Sequence, residues 1–403
     1  MIIVGFDWAR DKHDVCIQDE QGQILHEKTV SHAPDALDEL RRAIAEVEPD
    51  PSTVHVALEQ HDGALLAWML SAGYTVYGIN PKSSERARDV YRPSGGKDDR
   101  SDAQVVADVL RCNLGRFKPM QAQSEETLEL RSRARLRMRM TQQKTACLQR
   151  LRTILAEWCP AVSKLCTDLN LVWQRELLAR WPLHEDLIAV HGNACNSFFS
   201  ENRICANTRM KIKATRDARP MFIPEGRKPA LRFEISLILD QLKLLINRIK
   251  QLDAELAETF ASHPNSEVFY SLPVKGVPTL AMICSAFGDR HEDAPHWRQL
   301  AARWGVAPVT YASGKSRSVR RRRACDTHVL QALTDLAFTT AFSVAGCWAS
   351  DFYQRKRSQG KDHHEALRAV ALRWVKILRK MWHDQVPYDE NYHRERQQTE
   401  IAQ

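Results

Sequence analysis

Residues 1–120 switch repeatedly between two hydrophobic periods, and no other feature restricts the fold so strongly. Short apolar runs of strand length at 1–7, 54–59 and 75–80 alternate with stretches of helical spacing. Residues 14–19 and 23–30 flank a Gln21-Gly22 turn and read as the strands of a hairpin. Residues 33–47 carry Leu37, Leu40, Ile44 and Val47 at helical intervals and stop at Pro49 and Pro51. Residues 63–72 read as a second helix. After the turn-rich Pro93-Ser94-Gly95-Gly96, residues 99–112 read as a third, with Ala103, Val106, Ala107 and Leu110 on one face.

Three strands, helix, strand, helix, strand, helix is the order of an RNase H-like α/β fold. The remaining chain reads as largely helical. Residues 124–158 hold neither glycine nor proline and open with Ser124-Glu125-Glu126-Thr127, an N-cap signal. Residues 232–263 form a second long helical pattern, and the two suit an antiparallel coiled coil, within or between subunits. Residues 160–230 are mixed and less periodic. The expected division is a domain at 1–120, a helical coiled-coil connector with an irregular insertion at 121–263, and a mostly helical domain at 264–403. In the last of these, residues 273–278 followed by a helix at 279–287 resemble a helix-hairpin-helix turn, whose backbone amides can hold a phosphate near Lys275.

Composition closes several alternatives. Of 403 residues, 43% are hydrophobic and 27% charged, so the chain is neither disordered nor fibrous. The longest apolar candidate for a membrane span, residues 329–349, is broken by Gln331 and Asp335. The N-terminus lacks a basic segment followed by an apolar one, so a cytoplasmic protein is expected. None of the ten cysteines forms a C-x-x-C pair or a zinc-spaced cluster, and all ten read as reduced, buried thiols. The net charge of +8 is unevenly spread: residues 1–120 carry −6 and the remainder +14. An acidic front on a basic protein points to carboxylates kept for a purpose, with phosphate binding elsewhere.

Asp7 ends the first strand, Glu59 ends the strand at 54–59, and Asp99 and Asp102 stand one helical turn apart. In an RNase H-like sheet these strand ends and this helix face converge. Four carboxylates gathered without basic partners repel one another, and one or two Mg²⁺ ions relieve that repulsion while polarising phosphate. Asp98 is the neighbouring alternative to Asp99, about 100° away around the helix. Two basic features accompany this set. Arg131, Arg133, Arg135, Arg137 and Arg139 recur every second residue of the long helix, as either a solvated face or a row of phosphate contacts. Arg317, Arg320, Arg321, Arg322 and Arg323 cluster after Ser313-Gly314-Lys315-Ser316. That serine segment is not a P-loop, because Val309 stands where the motif requires glycine. A serine beside Gly314 and Lys315, upstream of an arginine cluster, can attack a phosphodiester, although a loop serine bonded to backbone is commoner.

These residues resemble the IS110-type DEDD transposases, the bridge-RNA-guided recombinases of bacterial insertion sequences. The match runs nearly end to end through Val4-Gly5-Phe6-Asp7, Ala57-Leu58-Glu59, Lys97-Asp98-Asp99-Arg100-Ser101-Asp102-Ala103, Gly305–Thr310, Ala312–Ser316, Arg355–Leu367 and Pro387-Tyr388-Asp389-Glu390. The resemblance implies a RuvC-like domain with Asp7, Glu59, Asp99 and Asp102 as Mg²⁺ ligands, a coiled-coil connector, and a C-terminal transposase domain with Ser313 as nucleophile. It also implies a tetramer built from dimers, nucleoid-associated when active, and a guide RNA pairing with donor and target DNA. After Glu59 the chain reads Gln60-His61-Asp62-Gly63 where members usually carry Glu-x-Thr-Gly. The competing functions are a RuvC-type structure-selective endonuclease, which needs no Ser313, and an RNA- or DNA-binding protein with an inactive site.

Overall fold

The computed structural model describes residues 1–59, 63–91, 99–313 and 316–392. The chain forms two compact units, Met1–Gln123 and Ser124–Gln403.

In the first unit, β1 (Ile2–Trp8), β2 (Lys12–Gln18), β3 (Ile24–Ser31), β4 (Val54–Leu58) and β5 (Thr75–Gly78) form one sheet in the order β3-β2-β1-β4-β5. β1 is central, antiparallel to β2 and parallel to β4, which is parallel to β5. Its sequence explains that position, since Ile2 to Phe6 are buried on both faces. The side chains alternate. Ile2, Val4 and Phe6 join Leu37, Leu40 and Ile44 of α1 (Pro34–Val47) and Leu65 and Met69 of α2 (Ala64–Ser71) in one core. Ile3 points the other way, toward Val106, Ala107 and Leu110 of α4 (Asp99–Asn113), in a core shared with Ala57 and Tyr77. Gly5 lies on that second face. A Cβ there would meet the Ala103 carbonyl oxygen at 2.0 Å and Ala107 Cβ at 2.8 Å. The glycine is therefore what lets α4 rest directly on β1.

The strand and helix order expected from the sequence holds, with one addition. A polar helix, α3 (Pro81–Tyr91), precedes α4. Its start is marked by Asn80, whose side chain accepts from the Lys82 amide at 2.9 Å, followed by Pro81 at the first position.

The second unit is organised around two long helices, α5 (Glu125–Trp158) and α11 (Lys228–Ser262). They pack against each other within the chain and run antiparallel, because Arg133 pairs with Glu255, Arg137 with Asp253 and Arg150 with Glu234. Ser124 caps α5 by accepting from the Thr127 amide at 3.2 Å. Asp289 in turn accepts from the Ser124 amide at 2.6 Å and the Thr127 hydroxyl at 2.5 Å. Between the long helices, residues 160–230 form five short ones: α6 (Pro160–Leu165), α7 (Val172–Arg180), α8 (His184–Ile188), α9 (Gly192–Glu201) and α10 (Ala206–Asp217). They close a core with Leu148 to Leu155 and Leu231 to Leu242.

The other ends of the long helices, at Leu130, Ala134, Leu256 and Phe260, belong to a different core. It is shared with α12 (Ser266–Tyr270), α13 (Val277–Phe287), α14 (Trp297–Arg303), α15 (Thr327–Phe342), α16 (Trp348–Ser358) and α17 (His363–Asp384). This part is not wholly helical. A hairpin of β6 (Val309–Ser313) and β7 (Ser316–Arg320) stands between α14 and α15, where the sequence reads as a loop. Of the ten cysteines, Cys112 and Cys205 are exposed and Cys147 and Cys325 half-buried, so only six answer to the buried-thiol reading.

Candidate functional site

The parallel pairing of β1 with β4 sets Phe6 beside Leu58, so Asp7 and Glu59 follow one another out of adjacent strand ends. Asp7 is two residues past Gly5 and Glu59 two past Ala57, and both of those face α4. By the two-residue period of a strand, both acids are directed to the α4 side of the sheet. There α4 begins, and Asp102 lies buried in its first turns. Asp99 is the first residue of α4, one turn before Asp102. Its side chain, like Asp98, lies outside the described residues.

The sequence leads one to expect carboxylates without basic partners, and the structure corrects this. Arg88 of α3 reaches between two of them, with Nε 2.8 Å from Asp102 Oδ1 and Nη2 3.7 Å from Glu59 Oε1. Neither contact is an aligned hydrogen bond, because Arg88 Nε and Glu59 Oε1 are both buried without a hydrogen-bonding partner. The guanidinium thus supplies charge to this corner and leaves at least one carboxylate oxygen unsatisfied. Hard oxygen donors with an orphaned buried oxygen are chemistry that suits a divalent cation. Among the described residues, however, no three His, Cys, Asp or Glu side chains are gathered closely enough to ligate one. Arg88 escaped the sequence reading, and the Asn80-Pro81 helix start was the signal that could have revealed its helix.

Ser313 is the last residue of β6 and is exposed, with Ser316, also exposed, opposite it in register. Gly314 and Lys315, which join them, lie outside the described residues, as does the side chain of Arg317. Val309 pairs with Arg320 at the foot of the hairpin, and the Arg320 guanidinium lies 5.1 Å from the centre of the Tyr311 ring. Arg320, Arg321 and Arg323 are exposed and Arg322 half-buried. Among the described residues, none of these four has a carboxylate within ion-pairing distance. Lys275 is exposed just ahead of α13, whose first turn holds Val277 and Pro278.

Arg131 and Arg135, expected as phosphate contacts, are engaged inside the protein. Arg131 donates to the Ser285 carbonyl, and Arg135 Nη2 donates to Asp326 Oδ2 at 3.0 Å. Arg133 and Arg137 likewise meet Glu129, Glu255 and Asp253. Four of the five arginines along α5 are thus paired within the protein, while Arg139 is exposed.

Among the described residues no helix is long and apolar enough to cross a membrane. In its likeness to solved structures, the chain is 16% identical to the T. thermophilus RuvC chain in complex with a Holliday junction substrate. That likeness covers 30% of this chain and 99% of that one, with a TM-score of 0.23. The transposase of the IS117 mini-circle of Streptomyces coelicolor is 25% identical over 400 residues, covering 96% of this chain and 95% of its own. A 44.8 kDa protein of insertion element IS116 from Streptomyces clavuligerus is 26% identical over 390 residues, covering 95% of each. Residues 4–160 match the DEDD transposase model of IS110 elements, and residues 266–354 match the transposase model of the IS116/IS110/IS902 family. With the acidic strand ends inside the first match and the serine hairpin inside the second, the chain belongs to the IS110 family of transposases.

Proposed function

We propose that this transposase is an RNA-guided DNA recombinase that cuts and rejoins donor and target DNA through a covalent phosphoserine at Ser313. Asp7, Glu59, Asp99 and Asp102 would hold Mg²⁺, which when bound supplies a Lewis acid and lowers the pKa of a coordinated hydroxyl. A noncoding guide RNA pairs with both DNAs, so the protein itself reads little sequence. The assembly is a tetramer of two dimers, in which the α5–α11 pair acts as a coiled-coil connector.

The observation that carries this reading is an exposed serine at the end of a hairpin strand whose foot is crowded with arginines that meet no carboxylate among the described residues. A hydroxyl attacking a phosphodiester forms an O–P bond and releases the 3′ or 5′ oxygen of the strand, so the bond energy is kept in the protein–DNA link. Arg320, Arg321, Arg322 and Arg323, with Arg317, Lys315 and Lys275, neutralise the strand on which this happens. Rejoining reverses the step with a new strand's oxygen and needs no ATP.

The test is a cleavage reaction followed by denaturation and a search for DNA-linked protein. Ser313→Ala should bind DNA and form no adduct, and Asp102→Asn should do the same. If Ser313→Ala forms the adduct and Ser316→Ala does not, the nucleophile is the serine opposite. The separation of all the carboxylates into the first unit keeps a second reading open, a RuvC-type endonuclease that uses water. That enzyme would leave free ends and be indifferent to Ser313→Ala.

A further inference from the structure

A cleft at the foot of the serine hairpin joins three of the arginines named above to a second element, which the reading above leaves without a role. It measures about 160 Å³. Its floor is Gly305 to Pro308 and Leu372, and its rim carries Arg320, Arg321, Arg322, Lys361 and Arg368 against one acid, Glu365. Two rim cations come from a different element, since Lys361 stands just before Asp362, the N-cap of α17, and Arg368 lies in the helix's second turn. Gly305 holds the floor in place at φ +74°, where an added Cβ would fall 2.8 Å from Cys325 Cβ. Lys361 Nζ is 3.9 Å from Glu365. Arg320, Arg321, Arg322 and Arg368 have no carboxylate within ion-pairing distance among the described residues, and Arg322 Nε is buried without a hydrogen-bonding partner. Like charges gathered around one cleft repel, and an unmet buried N–H is unfavourable in itself. Both conditions are relieved by the same occupant, an anion with several acceptor oxygens.

We propose that this cleft seats a backbone phosphate of the DNA strand being cut, with Arg368 and Lys361 of the α17 region gripping it alongside Arg321 and Arg322. The proposal rests on the reading of Ser313 as the attacking group. Ser313 and the Val309–Arg320 pair are the two ends of the same hairpin, four residues and about 13 Å apart at ~3.3 Å per residue. A strand whose phosphate reaches the tip has its neighbouring backbone near the foot. A free anion would need only the guanidinium groups, whereas the apolar floor of Val306, Ala307, Pro308 and Leu372 suits the sugar carried by a phosphodiester. Glu365 sets the register, because its carboxylate keeps the Lys361 end of the cleft partly neutral and leaves the Arg368 end for the phosphate.

The test uses the full-length protein and a fluorescein-labelled DNA duplex, with affinity measured as a function of salt. Arg368→Ala should lower the log–log salt slope by about 0.9 and weaken binding at 0.1 M salt by roughly eightfold, as one lost phosphate contact does. Arg368→Lys should keep most of the slope. The melting temperature of both variants should match the parent, which separates lost contact from lost fold. An unchanged slope in Arg368→Ala, when Arg320, Arg321 and Arg322 replaced together by alanine do lower it, overturns the cleft and leaves the hairpin reading standing. Unchanged slopes in both overturn the hairpin reading as well. A slope that falls on an RNA duplex but not on DNA overturns the assignment to the cut strand. So does stabilisation by inorganic phosphate at matched ionic strength with no change in the DNA slope, which would mark a free-anion site.

Discussion

The second unit carries two arginine-rich regions that look alike in sequence and differ in whether carboxylates meet their charge, although Arg135 on α5 and Arg322 at the hairpin each keep a buried Nε without a hydrogen-bonding partner. On α5, Arg131, Arg133, Arg135 and Arg137 each meet an acceptor of the protein, four of which are the carboxylates of Glu129, Glu255, Asp326 and Asp253. At the foot of the β6–β7 hairpin, Arg320, Arg321, Arg322 and Arg323 meet no carboxylate among the described residues. The first set ties α5 to α11, to α13 and to the cap of α15. The second set holds its charge in reserve. The density of arginine therefore says little about nucleic acid, and what matters is whether the fold has already supplied the counter-charge. An arginine with a carboxylate partner can bind phosphate only by giving that partner up, which removes most of the electrostatic gain.

The largest expected effect lies on the hairpin. Replacing Arg320, Arg321 and Arg322 with alanine should lower the salt slope for duplex DNA by about 2.7, at roughly 0.9 per contact, and weaken binding at 0.1 M salt by on the order of 10²–10³. The matching change on α5, with Arg133, Arg135 and Arg137 all replaced by alanine, should leave the slope unmoved and lower the melting temperature instead. A reduced slope in the α5 variant would erase the distinction. Arg135→Ala alone tests its strongest pair, because Arg135 and Asp326 are both only about a quarter exposed. Asp326 keeps its hydrogen bonds from the His328 and Val329 amides at the start of α15, so loss of the ion pair is unfavourable by about 1–2 kcal/mol. In a unit of this size that lowers the melting temperature by roughly 2–3 °C.

Arg88 in the first unit belongs to neither class and sharpens the contrast. It is paired, but with carboxylates whose proposed partner is a cation. If the guanidinium and a divalent ion compete for Glu59 and Asp102, Arg88→Gln should bind Mn²⁺ several-fold more tightly by isothermal titration or electron paramagnetic resonance. Weaker binding would mean that Arg88 holds the two acids in a geometry the metal needs. Because the readout is metal binding, the answer does not depend on whether the variant still cuts DNA.

How far the sequence carried these conclusions depended on the range of the interaction. Asp7, Glu59 and Asp102 were legible because a two-residue strand period and a three-residue helix step are local rules, and they place side chains on a face without knowledge of the partner. Gly5 and the match of Phe6 to Leu58 then make that placement physical. The helix α3 was missed because Ser84 is the only fully buried residue among those of its side chains that are described, and its start signal is a cap. The β6–β7 hairpin was missed for a related reason. Its side chains are mostly exposed, and Val-Thr-Tyr-Ala-Ser facing Ser-Arg-Ser-Val-Arg offers no alternation of buried and solvated positions. Apart from the i,i+4 pair of Arg133 with Glu129, the fate of the α5 arginines was not legible. Their partners Asp253, Glu255 and Asp326 lie 116 to 191 residues away, and no local rule joins them.

The finest form of the comparison uses one residue from each region and the same substitution in both. Arg322→Met removes a guanidinium whose Nε is buried with no hydrogen-bonding partner. Desolvating a donor without pairing it is unfavourable by about 1–3 kcal/mol, and a methionine of similar reach has no donor to leave unmet. Arg322 is only half-buried, so water still reaches the rest of the group and the recoverable part is the lower end of that range or less. Arg322→Met should therefore melt at the parent temperature or up to a few degrees above it, while its DNA salt slope falls by about 0.9. Arg135→Met should do the reverse, melting earlier with the slope intact, because it also removes an unpartnered Nε but loses the Nη2 pair to Asp326 with it. The two curves, measured on one instrument at one salt, cross in sign. An Arg322→Met variant that melts well below the parent would mean that this arginine holds the fold together, as the α5 arginines do, and the hairpin would lose its claim to uncommitted charge.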